Sequence, residues 1–410
     1  MKTSTKAVLV LANGQIFEGK SIGATGVALG EAVFTTGMNG YLETLTDPSY
    51  YGQIVTQTFP LVGNYGVIPK DFESSDVHVR GYIVRSICEI PSNFRCELDL
   101  DSFLMTKNIV GLCDIDTRAL TKVLRETGVM NGIIVSGDSK EAGEIFAALE
   151  KPAEKAKLLK KIKDYKITQA VESVTCSAVK IEESADVVFK ESAEYRFVPV
   201  RSDGTKVNDQ KEAMKAGKGK KVVLWDFGAK ANIRRELLKR GLEVTTVSGS
   251  ASAKDILDLA PDGIMLSNGP GDPEENIVPI ANIKELVGKF PIFGICLGHQ
   301  LTALAMGGKT MKLKYGHRGV NQPVKQLETG RTYISSQNHG YAVVADSLDR
   351  RFSKESFINA NDGTCEGMEY KSKSIFTVQF HPEACSGPKD TKFLFDRFIS
   401  MMGGKDNAAE

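Results

Sequence analysis

The chain lacks paired cysteines: seven are scattered along it, an odd number, and none stands at C-x-x-C spacing. That disfavours a disulfide framework or a zinc site and suits a reducing cytoplasm. It lacks an excess of either charge, since 52 lysines and arginines meet 51 aspartates and glutamates for a formal net charge of +1. No broad basic field therefore argues for nucleic acid or an anionic membrane as partner. No apolar run approaches the length of a membrane span. The run from Ala7 to Ala12 is too short for a secretory signal and is cut by Asn13-Gly14, so neither export nor a membrane is expected. A P-loop is missing too. "AMGGKT" (305–310) ends like one, but Ala303 stands where the first glycine belongs and the segment follows a helical pattern. There is no internal repeat.

What remains is ordinary globular composition, 41% hydrophobic and 25% charged over 410 residues, enough for about two domains. Residues 1–150 read as a strand-rich α+β domain. "AVLVLANGQIFEGKSI" has the alternation and Asn-Gly signal of a hairpin, and "DIDTRALTKVLRETG" reads as a helix stopped at Gly128. Residues 151–220 change character: a charged helical stretch, "KPAEKAKLLKKIKDYK", gives way to a polar, turn-rich connecting region. From residue 221 to 403 short apolar strands alternate with helices ("VVLWDFG", "NIRRELLKRG", "EVTTVS", "AKDILDLA", "GIMLSN", "PIFGIC"). That alternation predicts a doubly wound α/β domain on a parallel sheet, with ligands at the carboxyl ends of the strands. Residues 404–410 are a tail.

One octet, "FGICLGHQ" (293–300), sets a thiol at such a strand end. Strand, sharp turn and helix in succession form the geometry of a nucleophile elbow, with Cys296 at its corner. Buried cysteines are more often inert core residues, so the thiol needs a base, an orienting group and oxyanion donors elsewhere. Only five histidines are available. His381 closes the apolar strand "SIFTVQF" and opens "HPE"; the following proline keeps it extended, which sets Glu383 on the same side. Glu383 can then hold the imidazole tautomer as a carboxylate does in a catalytic triad. His299, three residues past Cys296 on its helix, is a second candidate base. Cys385 is a rival nucleophile with no elbow to present it. "GIMLSNGPGDP" ends another strand in glycines, leaving the Gly271 and Leu297 N–H groups as expected oxyanion donors.

"SNGPGDP", "GICLGHQ" and "FHPEA", in this order, resemble the class I glutamine amidotransferases. "QNHGYAV", "DFGAKANI", "YGHRGVNQPV" and the N-terminal "GEAVFTTGMNGYLETLTDPSYYGQIV" narrow the resemblance to the small subunits of carbamoyl-phosphate synthases. The resemblance implies an α/β fold in which a strand-rich N-terminal domain, docking the partner, precedes the class I glutamine amidotransferase domain. It implies Cys296 as nucleophile with His381 and Glu383 completing the triad. Glutamine contacts are implied at Ser49, Gly269, Gly271, Leu297, Gln300, Asn338, Gly340 and Tyr341. The expected enzyme is a cytoplasmic heterodimer whose large subunit makes carbamoyl phosphate, for arginine or pyrimidine biosynthesis, from bicarbonate and ATP. No metal or cofactor is expected in this chain, and ATP and Mg2+ belong to the partner. Tyr341 departs from the phenylalanine common in the family, and "HRGVN" departs from "HHGGN" at Arg318 and Val320. An amidotransferase of another synthetase, a free γ-glutamyl hydrolase and a catalytically silent regulatory subunit remain as alternatives.

Overall fold

The computed structural model describes residues 6–182, 217–371 and 373–403. The turn-rich part of the connecting region and the tail thus lie outside the described residues. The chain divides into two compact units: residues 1–170 with 312–321, and residues 171–311 with 322–410.

In the first unit, β1 (Lys6–Leu11), β2 (Ile16–Gly23), β3 (Gly26–Thr35), β4 (Gln53–Gln57), β6 (Gly81–Ile83), β8 (Val110–Cys113) and β9 (Met130–Ser136) form a closed barrel. Two short strands, β5 (Leu61–Val62) and β7 (Ser86–Ile87), pair with each other beside it. The hairpin expected at Asn13-Gly14 is present: β1 and β2 pair antiparallel from Lys6↔Lys20 to Val10↔Ile16, and Gly14 turns at φ 87°. Alternation along the strands assigns their faces. Leu9 and Leu11 pack with Ile54, Leu112 and Ile134 and with Leu120 and Leu124 of the helix Thr117–Thr127. Val8, Val10, Ile133 and Val135 pack on the other side against Ala142, Ile145, Leu158 and Ile162. Leu158 and Ile162 come from the helix Pro152–Asp164, so the lysine-rich stretch buries one face on the barrel rather than standing free.

The second unit is a ten-stranded sheet ordered β10-β12-β11-β13-β14-β19-β18-β17-β15-β16. These are β10 (Lys180–Glu182), β11 (Lys221–Asp226), β12 (Glu243–Ser248), β13 (Gly263–Leu266), β14 (Ile292–Ile295), β15 (Lys309–Gln326), β16 (Thr332–Val344), β17 (Ser353–Asn359), β18 (Cys365–Tyr370) and β19 (Ile375–Val378). β12, β11, β13, β14 and β19 run parallel, as the alternation of strands and helices predicts. The antiparallel half, from β18 outward, has no counterpart in that alternation. Both faces of the parallel half are buried, which is why its strands read as continuous apolar runs. Val223, Trp225, Ile264 and Leu266 enter one core; Val222, Leu224, Met265 and Phe293 enter the other. In the second core Phe293 stacks on Phe376 at 4.3 Å and meets Phe395 edge-on, fixing the C-terminal helix Phe393–Gly403 to the sheet.

Two glycines bring the helix Leu297–Ala305 hard against the strands that precede it. A Cβ on Gly298 would stand 2.5 Å from the Leu266 carbonyl oxygen, and one on Gly294 would stand 2.8 Å from the Gly298 oxygen. Such contacts admit hydrogen only. The Gly298→Ala variant should therefore lose about 1–3 kcal/mol of stability through overpacking. Denaturant unfolding followed by Trp225 fluorescence measures this; an unchanged midpoint would mean that the helix can slide away from β13.

Candidate active site

Cys296 is the junction between β14 and the helix Leu297–Ala305, with φ 52° and ψ −101°. A non-glycine residue in that region is strained and persists only where its surroundings over-determine it. Here they do. The Cys296 N–H donates to the Val378 carbonyl of β19 at 2.8 Å, its carbonyl accepts from the Gln300 N–H at 3.1 Å, and Gly298 N–H donates to Ser267 O at 3.0 Å. The thiol is 3% exposed and donates to the Asn338 carbonyl of β16, with Sγ···O 3.7 Å. The elbow expected from "FGICLGHQ" is thus present, with the residue before the nucleophile, Ile295, in register with Val378.

β19 delivers the second component. Three residues beyond Val378, His381 leaves the same end of the adjoining strand, its backbone N–H held by Ser336 O at 2.9 Å. Its ring is buried, and Nδ1 lies 2.8 Å from Glu383 Oε1. A carboxylate acceptor assigns the proton to Nδ1, leaving the lone pair on Nε2, which has no hydrogen-bond partner among the described residues. The tautomer is the one a base needs.

Glu383 is fully buried, and desolvation alone would push its carboxyl up. The Lys230 ammonium, 3.0 Å from the same Oε1, together with His381, reverses that and holds the carboxyl at about 2. Sequence reasoning missed Lys230. It lies in "DFGAKANI", a stretch that carried the family resemblance but gives a lone lysine no periodicity or spacing to mark it. Its loop is built by Asp226 at the end of β11, whose carboxylate accepts from the Gly228 and Ala229 N–H groups at 2.8 and 2.6 Å.

β13 ends in the third component. Gly269 is required by closeness: a Cβ there would meet Phe227 O at 2.3 Å and Leu297 Cδ2 at 2.7 Å. Gly271 is required by conformation, at φ 89°. Asn268 fastens this loop to the lysine loop, accepting from the Lys230 N–H at 3.0 Å. The Gln300 side chain donates to Tyr341 O at 2.9 Å and Gln379 Oε1 at 3.0 Å, and so joins the helix to β16 and to the end of β19. Leu297 follows Cys296 directly, while Asn338, Gly340 and Tyr341 line up along β16. Ser49 belongs to the first unit, buried in a short helical turn with its N–H bonded to Asp47. Arg318 is also in the first unit, donating to Tyr315 O at 2.7 Å.

The rivals are placed elsewhere. His299 is wholly buried with Nδ1 2.8 Å from Thr377 Oγ1, and burial lowers its pKa to about 3. That suits a neutral packing residue. Cys385 is exposed in the segment after Glu383 and stands at no strand-to-helix corner.

The acid side of the site has a defined sign. The folded pKa of Glu383, about 2, lies below its ordinary 4.5. Its ionised form therefore stabilises the fold fully above about pH 4.5, and that contribution, of order 3 kcal/mol, disappears as pH falls through about 2. The gap in melting temperature between the parent chain and Glu383→Gln should be widest above pH 4.5 and narrow steadily toward pH 2. A gap independent of pH would remove the ion pair from the account.

The family model for the carbamoyl-phosphate synthase small chain, CPSase domain, matches residues 9–134, and that for glutamine amidotransferase class-I matches residues 223–401. The chain is 46% identical over 394 residues to a carbamoyl phosphate synthase small chain of Clostridium perfringens, covering 96% of this chain and 99% of that one. It is 45% identical over 402 residues to the small chain of Listeria monocytogenes serotype 4b, covering 98% of each. The pyrimidine-specific small chain of Bacillus subtilis is 43% identical over 405 residues, covering 99% of this chain and 98% of that one. The chain belongs to the family of carbamoyl phosphate synthase small chains.

Proposed function

We propose that this chain hydrolyses L-glutamine at Cys296 and passes the ammonia to a large synthetase subunit. Membership of the family makes it a glutamine-hydrolysing amidotransferase; the residue roles and the route of the ammonia are proposed. The observation that carries it is the backbone of Cys296, held in a strained corner at the end of β14, beside the strand that ends in a histidine–carboxylate pair.

In the proposed cycle the Cys296 thiol loses its proton to His381 Nε2, and the sulfur attacks the side-chain amide carbon of glutamine. The S–C bond forms and the carbonyl electron pair moves to oxygen, where the Leu297 and Gly271 N–H groups receive the charge. The tetrahedral species collapses, the C–N bond breaks, and His381 returns its proton to the leaving ammonia. Water, activated by the same imidazole, then cleaves the γ-glutamyl thioester to glutamate and free thiol. Glu383 holds the imidazole in its tautomer and faces the imidazolium that forms; Lys230 keeps Glu383 ionised in its buried position. Asn338, Gly340, Tyr341, Gln300 and Gly269 are assigned to the glutamine.

Synthesis of carbamoyl phosphate requires ATP, and the G-K-T of this chain does not fit a phosphate-binding loop. It closes the helix Leu297–Ala305 and opens β15, whereas a P-loop follows a strand and opens a helix. ATP and Mg2+ are therefore assigned to the large subunit, in a cytoplasmic heterodimer. Among the described residues no helix is long and apolar enough to cross a membrane.

Replacing Cys296 by alanine should lower glutamine-dependent carbamoyl phosphate synthesis by at least about a thousandfold, in line with loss of a covalent nucleophile. Ammonia-dependent synthesis by the same complex should stay within about twofold. Glutamine-dependent turnover that survives the substitution would exclude Cys296 as nucleophile. Loss of both activities together would instead mean that the variant no longer supports the partner.

A further inference from the structure

We infer that the Tyr341 hydroxyl is a positioning group that pins the loop carrying the Gly271 oxyanion donor to the glutamine-binding strand. The inference rests on the function proposed above.

Tyr341 OH donates to Asp272 Oδ2 at 3.0 Å, and Asp272 is the residue directly after Gly271. The other oxygen of the same carboxylate, Oδ1, accepts from the Glu274 N–H at 3.0 Å and caps the turn Pro273–Glu275. Asp272 O accepts from Asn276 Nδ2 at 3.1 Å. The carboxylate is therefore a bracket between its own loop and β16.

The tyrosine end is fixed as well. Tyr341 O accepts from Gln300 Nε2 at 2.9 Å and from His339 Nδ1 at 2.7 Å. The helix that follows Cys296, β16 and the glycine loop thus meet at this one residue, through its carbonyl on one side and its hydroxyl on the other. Phenylalanine would keep the first connection and lose the second.

The leverage falls on Gly271. Upstream, Gly269 is wedged against Phe227 and Leu297; downstream, Asp272 is held by Tyr341; Gly271 lies between them at φ 89° with no side chain of its own to hold it. Without the hydroxyl, Asp272 loses its side-chain bond to β16, while the Gly269 wedge and the Gly298 N–H to Ser267 O bond remain upstream of Gly271. An oxyanion donor must meet the tetrahedral oxygen in place, so slack at this point weakens the transition state without weakening ground-state glutamine.

The test is a double-mutant cycle in the full chain: Tyr341→Phe, Asp272→Ala and the pair. Active sites are counted by stoichiometric alkylation of Cys296 with a chloroketone analogue of glutamine, so that misfolded protein does not enter kcat. Per titrated site, Tyr341→Phe should lower kcat for glutamine hydrolysis about fivefold with KM within about twofold, the signature of an interaction made in the transition state. In the Asp272→Ala background the same substitution should change kcat by less than about 1.5-fold, because the two groups act as one. An unchanged kcat for Tyr341→Phe, an effect confined to KM, or an equal loss in both backgrounds would each overturn the latch. Failure of the analogue to label Cys296 in the parent chain would overturn the underlying function instead.

Discussion

The site depends on a contact that only hydrogen can make: the α-carbon of Gly298 against the Leu266 carbonyl, with Gly294 nested beneath it. Because the helix Leu297–Ala305 starts so close to the sheet, the chain has no room for an ordinary turn, and Cys296 absorbs the change of direction at φ 52°. That corner sets the thiol at the strand end and brings the Leu297 N–H beside it, while the Cys296 N–H stays bonded to Val378. The strain is local; the two apolar cores on either face of the sheet offset it.

Around that corner the sheet register does the assembly. Parallel pairing of β11, β13, β14 and β19 aligns four strand ends, and each contributes one functional loop: the Lys230 loop, the Gly269–Gly271 loop, the elbow and the His381–Glu383 segment. Buried Glu383 would be a liability alone. With Lys230 and His381 on the same oxygen it becomes a fixed negative charge behind the imidazole, which explains why three ionisable groups are tolerated in a buried position.

Some of this was legible in the residues and some was not. The elbow was, because apolar run, cysteine, glycine and helical periodicity follow one another within twelve residues. The His381–Glu383 pair was, because proline after His381 keeps the backbone extended and gives it a two-residue period. The parallel half of the sheet followed from alternating short strands and helices. The antiparallel half did not: β15 and β16, neighbours in the sheet and in sequence, are long, mostly polar strands without the short apolar run that marks a strand of the parallel half. Barrel closure in the first unit has no local signal either, since it rests on β3 meeting both β4 and β9 across intervening helices and loops. Lys230 was invisible because its partner is 153 residues further on, and the pairing is set by the adjacency of loops rather than by spacing. The Tyr341–Asp272 bond is of the same kind: the tyrosine could be read, but not what its hydroxyl meets.

The central claim is that the sulfur at the end of β14 becomes covalently acylated by glutamine. It is tested most directly by acid-quenching the full chain during turnover of isotopically labelled glutamine and mapping the label by peptide mass spectrometry. A γ-glutamyl group on the peptide containing Cys296, chased off as labelled glutamate when unlabelled glutamine is added, is the expected result. Label on Cys385 or another thiol, or turnover with no covalent label at all, would contradict it.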